Sequence, residues 1–181
     1  MNIAKQAAIN AASVPARRAM WVLAAAALAA PGMVSAQTAQ DTATFDVTIT
    51  LENSCELTTA PTEMAFGTVG LLNTDYTATS VVSVTCTDQA PYTLALDDGQ
   101  NPDTIRRMVF GTANYVSYDL YSDSGYNTLW GDGTTFGDAV TGTGNGQEQE
   151  VTVYGRVEAA DNATTPPAGS YSDTVTVEVR L

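Results

Sequence analysis

The 181-residue chain contains no histidine, and its only lysine is Lys5. Without imidazole, neither a Ser-His-Asp nor a Cys-His arrangement can be built. Basic side chains are nearly as scarce. Beyond Arg18 the cations are Arg106, Arg107, Arg156 and Arg180, set against all twenty Asp and Glu residues. Nucleic acid is therefore a very poor partner, because phosphate binding needs concentrated Lys or Arg. Anionic membrane surfaces are disfavoured for the same reason. Long apolar runs are missing after residue 30, so no transmembrane span is expected in the mature chain.

The beginning of the chain is of a different kind. Lys5, Arg17 and Arg18 precede the apolar run MWVLAAAALAA, Pro31 and Gly32 break it, and Val34-Ser35-Ala36 offers small residues for cleavage. This order reads as a secretory signal peptide over residues 1–36. The run is too short for an ordinary membrane-spanning helix. Cleavage there leaves 145 residues from Gln37, with four arginines against twenty acids and a net charge of −16. That length suits one domain with one core. The charge favours solubility and discourages random association.

Cys55 and Cys86 are the only cysteines, and both lie in the exported part. An even count in an oxidising compartment reads as one disulfide. It closes a loop worth roughly 3–4 kcal/mol on the chain-entropy model. The alternatives are two free thiols or half of a metal site, and a two-cysteine zinc site needs His or further Cys ligands.

What is present is β-pattern. In ATFDVTITLEN, Ala43, Phe45, Val47, Ile49 and Leu51 alternate with Thr or Asp, giving one apolar and one polar face. Further strands are expected at 64–69 (MAFGTV), 77–86 (TATSVVSVTC), 91–96 (PYTLAL), around Met108 and Val109, and at 114–121 (NYVSYDLY). Others are expected at 127–130, 150–157 (EVTVYGRV) and 174–181 (TVTVEVRL). Residues 137–147, rich in Gly, read as a flexible loop. No helical period and no internal repeat is found. Short strands between turn signals point to an antiparallel sandwich. A strong amphipathic strand lies at one end, ahead of the first cysteine, and no strand follows the one ending at Leu181. A free strand is an aggregation hazard unless it has a planned partner.

Candidate chemistry is thin. Asp97 and Asp98 resemble a carboxylate pair for glycoside hydrolysis, but Gly99 beside them makes them turn residues. Asp132 in WGDG lacks the spacing of a calcium loop. Asn162-Ala163-Thr164 has the form of a glycosylation acceptor. Trp130 is expected in the core. Tyr115, Tyr118, Tyr121 and Tyr154 are expected to pack on strands with their hydroxyls toward polar partners. Arg107 and Arg156 should each pair with a carboxylate. No catalytic residue, metal ligand or cofactor site is identified.

Cys55 with Phe66-Gly67, then VTCTDQAPYTLALDDGQNP, Arg107-Met108, YVSYDLYSD, LWGDG, VYGRV and AGSYSDTVTVEV, resemble the spore coat protein U domain over about residues 50–181. That domain also forms subunits of archaic, Csu-type chaperone–usher pili. Leu181 stands where many members carry an aromatic residue. The resemblance implies an all-β fold, an incomplete immunoglobulin-like antiparallel β-sandwich completed by a donor strand. It implies a periplasmic chaperone and an outer-membrane usher as partners, and neighbouring copies in a head-to-tail polymer. On this reading 1–36 is the signal peptide, 37–49 the donor extension and 50–181 the sandwich domain. The donor row is Ala43, Phe45, Val47, Ile49 and Leu51, and pairing within the chain's own domain begins near Leu51 to Cys55. The expected function is a structural subunit of a secreted fibre for surface attachment and biofilm formation. A spore or cyst coat protein and a monomeric secreted binding module are the alternatives.

Overall fold

A computed structural model describes residues 41–181; the expected signal peptide and residues 37–40 lie outside the described residues. The chain divides into two units between Val47 and Thr48. Of the first, residues 41–47 have no regular secondary structure and carry Phe45 and Val47 in the open.

The second unit, Thr48–Leu181, is all-β apart from one 3₁₀ turn at Ala160–Asn162. Its strands are β1 (Cys55–Thr59), β2 (Tyr76–Cys86), β3 (Pro91–Leu96), β4 (Arg106–Phe110), β5 (Asn114–Tyr121), β6 (Val140–Thr143), β7 (Glu148–Val157) and β8 (Val177–Arg180). They form two antiparallel sheets, ordered β1-β2-β7-β5-β4 and β6-β3-β8. The core follows from period-2 alternation. Val82, Val84 and Cys86 of β2 face Leu94 and Leu96 of β3, and all are fully buried beside Trp130. The Trp130 indole Nε1 donates to the Leu94 carbonyl at 3.0 Å, so the polar edge of this ring is satisfied inside the core.

The strands with dense β-branched or aromatic alternation form where the sequence places them, from β2 and β3 to β5 and β7. Three expectations are corrected. Residues 64–69 form no strand; Met64 and Phe66 instead cover β7 at Gly155, where a Cβ would overlap the Met64 sulfur. The supposed flexible loop at 137–147 contains β6, paired with β3 from Pro91↔Thr143 to Leu94↔Val140. Gly142 sits over the Tyr92 ring there, where a larger residue would collide, so its lack of a side chain permits the pairing. Residues 127–130 make only isolated bridges, Tyr121↔Leu129 and Trp130↔Asp138. In addition, Ile49 and Leu51 stand exposed in chain without regular secondary structure, where the backbone groups have no ladder partner.

Candidate functional site

The last strand is an edge. β8 pairs with β3 alone, in the register Leu94↔Val179 and Leu96↔Val177. From Tyr171 to Arg180 half-buried and exposed residues alternate without a break. Val175, Val177 and Val179 point to the core and pack against it, yet remain half-buried, whereas Leu94 and Leu96 on the neighbouring strand are sealed. Glu178 and Arg180 occupy the outer face; the Arg180 Nη2 donates to Glu178 Oε2 at 2.6 Å, and its Nη1 to the Asp132 carbonyl at 3.3 Å.

A second edge approaches it. β1 pairs with β2 alone and lies near β8 without a ladder between them. Its inward residue Leu57, opposite Val84, is 36% exposed. The seam between the sheets is therefore lined by apolar residues that face the core but are not covered: Leu57, Val175, Val177 and Val179. A disulfide between Cys55 and Cys86, directly opposed in the ladder, holds β1 in place. Just ahead of it, Thr87 N donates to the Ser54 carbonyl at 2.9 Å. The Thr87 hydroxyl reaches the Glu52 carbonyl at 3.3 Å. Pairing within the domain thus begins at about Glu52.

Polar groups fix the path of the chain into β8. Ser172 exchanges two backbone bonds with Val109, covering the β4 edge. Asp173 accepts from the Tyr118 hydroxyl at 2.7 Å and from Gln100 N at 2.9 Å. Asp97 Oδ1 accepts from Thr176 N at 2.9 Å and from Gly99 N at 3.0 Å. The Asp97 carbonyl accepts from Arg106 Nε and Nη2 at 2.9 and 2.7 Å. Arg106 is fully buried, its guanidinium 5.4 Å from the Phe136 ring centre. Burial lowers its pKa, while burial and the Asp173 hydrogen bond raise that of Tyr118. The sequence hid this network, since Arg106 beside Arg107 looks like a solvated pair.

The other singled-out residues take structural places. Asp97 and Asp98 serve turns, the latter accepting from the Thr135 hydroxyl at 2.7 Å. Asp132 accepts from Thr135 N and Thr134 N at 2.8 and 2.7 Å and from the Thr134 hydroxyl, and these bonds hold its carboxyl far below the usual range. Asn162 is buried and brackets Ser117, accepting from its N and donating to its carbonyl. Arg107 pairs with Asp103 and lies over Tyr115; Arg156 pairs with Asp75 and Glu158. Among the described residues no group of three or more Asp, Glu, Cys or His could hold a metal ion, and no helix is long and apolar enough to cross a membrane.

Phe45, Val47, Ile49 and Leu51 are 79–85% exposed.

Among curated proteins none matches the chain. Among solved structures it is similar to a chain of the CsuC–CsuE chaperone–tip adhesion subunit pre-assembly complex from the archaic chaperone–usher Csu pili of Acinetobacter baumannii, at 23% identity and a TM-score of 0.53. The match covers 73% of this chain and 40% of that one, so this chain spans well under half of its neighbour's length. At that identity the likeness concerns the fold alone, a two-sheet antiparallel β-sandwich. A family model described as the Spore Coat Protein U domain matches residues 41–178, so the chain belongs to that family.

Proposed function

We propose that this protein is a structural subunit of a chaperone–usher type surface fibre, assembled by donor-strand exchange. The observation that carries the proposal is the uncovered seam: core-facing Leu57, Val175, Val177 and Val179 stay wet between two unpaired edges. Residues 43–51 carry a complementary feature, alternating apolar residues that are themselves exposed to solvent. An added strand satisfies both, through main-chain bonds to an edge and alternate side chains on the core. Burying its four larger side chains is worth about 6–12 kcal/mol before ordering costs. That is comparable with the whole stability of a domain, about 5–15 kcal/mol.

In this scheme residues 1–36 direct export, a periplasmic chaperone covers the edge first, and an outer-membrane usher passes the subunit on. The N-terminal segment of another copy then replaces the chaperone. A head-to-tail contact that does not close on itself generates a filament, and the product is a cell-surface fibre for attachment and biofilm formation. The protein is not an enzyme on this proposal.

The test is deletion of residues 37–49. Polymerisation should vanish while chaperone binding survives. Continued fibre growth by the truncated subunit would falsify the proposal. The family's name favours a second reading, a spore or cyst coat protein on the same domain. Neighbouring chaperone and usher genes distinguish the fibre from the coat.

A further inference from the structure

The strand that adds to β8 has a choice of registers, and the charges on the two segments discriminate between them. Between residues 42 and 51 the polar row Thr44, Asp46, Thr48, Thr50 contains a single charge. The outer face of β8 contains two, Glu178 and Arg180, both well exposed. Of the other arginines among the described residues, Arg106 is buried, Arg107 is paired with Asp103, and Arg156 is paired with Asp75 and Glu158. Arg180 is paired too, with Glu178 of its own strand, but it is the arginine that lies on the free edge.

We infer that Asp46 of a second copy lies opposite Arg180 in an antiparallel ladder, and that this pair fixes the register of assembly. The inference rests on the donor-strand proposal. The pairing that follows is Val47 with Val179, Ile49 with Val177 and Leu51 with Val175 on the core side. On the outer side Asp46 meets Arg180, Thr48 meets Glu178 and Thr50 meets Thr176. Val47, Ile49 and Leu51 of the donor then each meet a half-buried valine of the seam, and Phe45 falls opposite Leu181.

The competitors are each penalised. A one-residue slip turns the apolar row to solvent. A two-residue slip in one direction puts Asp46 opposite Glu178, and like charges directly opposite destabilise a ladder. The slip in the other direction moves Asp46 off Arg180 and sets Thr48 there instead. A parallel ladder with Asp46 at Arg180 sets Ala43 on Val177 and the carboxylate of Asp41 on Val175. Parallel ladders that retain the apolar row set Thr48, Thr50 or Glu52 opposite Arg180, so none gives Asp46 a cation, and the Glu52 backbone is in addition already bound to Thr87 at the start of its own domain.

The test is disulfide trapping between two full-length variants mixed during assembly, one bearing Thr48→Cys and the other Glu178→Cys. They should cross-link in the fibre, whereas Thr50→Cys mixed with Glu178→Cys should not. Fibres that cross-link through the latter pair overturn the register and leave donor exchange standing. Fibres that cross-link through none, and that still grow with Val47→Asp, overturn donor exchange itself. Charge reversal supplies an independent reading. Asp46→Arg or Arg180→Asp alone should slow assembly about three- to tenfold, and the double variant should return to within about twofold of the parent rate. Double variants as slow as the singles would refute the pair.

Discussion

Tyr118 donates the one hydroxyl that reaches Asp173 Oδ2, at 2.7 Å. Tyr118→Phe keeps the ring packed and leaves that carboxylate oxygen short of a partner, which costs about 1–3 kcal/mol. The urea midpoint should fall accordingly, and an unchanged midpoint would show that water replaces the hydroxyl without loss. The acid response is also set residue by residue. Asp132 is held below the ordinary 3.8 by the Thr135 N–H above all, Asp123 by the Thr128 N–H, and Asp75 by the Ala159 N–H and Arg156. A depressed pKa means the folded state binds protons less readily than the unfolded chain, so the stabilisation is full above about pH 4 and drains away below it. Asp119 has the opposite sign: burial first, then Asp161, raises it, so its charge opposes folding at neutral pH and the penalty fades in acid. The urea midpoint should therefore drop steeply below pH 4, and Asp132→Asn should make the drop shallower, because an amide oxygen keeps the loop bonds but does not titrate. Parallel acid limbs in parent and variant would remove Asp132 from this account.

At the level of elements, the decisive one is the strand that the isolated chain does not form. Residues 43–51 show the alternation of a strand as clearly as β2 does, yet they make no ladder here. Period-2 patterning was legible because it depends on local sequence; the identity of a partner strand is not local and was not. The same distinction explains the misread elements. β6, VTGT, offers a single bulky side chain, and pairing with β3 makes it a strand. Residues 64–69 alternate as well, but they lie over Gly155 as a cover. Conversely, the open edge of β8 was visible in TVTVEVRL only as a strand, since the half-burial of its valines depends on what stands next to it. Placing a charge in the row should separate these roles. Val47→Asp or Ile49→Asp should stop fibre growth, because a buried unpaired carboxylate is costly. The monomer's fold should be untouched, as both positions are 84% exposed in the isolated chain. Electron microscopy and circular dichroism report the two halves, and normal fibres in either variant would count heavily against the donor row. The disulfide acts on another element. Losing the Cys55–Cys86 bridge frees β1 and removes roughly 3–4 kcal/mol of unfolded-state restraint, so Cys86→Ser should lower export yield.

Over the whole molecule the balance of charge opposes any contact between copies. Twenty acids face four arginines beyond residue 36, and all four arginines are already engaged within the fold. Two such subunits approaching one another at low ionic strength repel at long range, where the pairwise attraction of Asp46 for Arg180 is a small correction. Exposed charges separated by more than about 10 Å are largely screened at 0.1 M salt, and by about 30 Å at 0.01 M. Apolar burial at the seam is insensitive to this screening, whereas the encounter that precedes it is not. Raising salt from about 0.01 to 0.15 M should therefore speed polymerisation several-fold, in contrast to associations steered by complementary charge, which salt slows. Light scattering of the purified subunit against salt concentration measures this. A rate that falls with salt would mean that local attraction at the incoming strand outweighs the repulsion between the two bodies, and the apolar seam would lose its place as the source of the driving force.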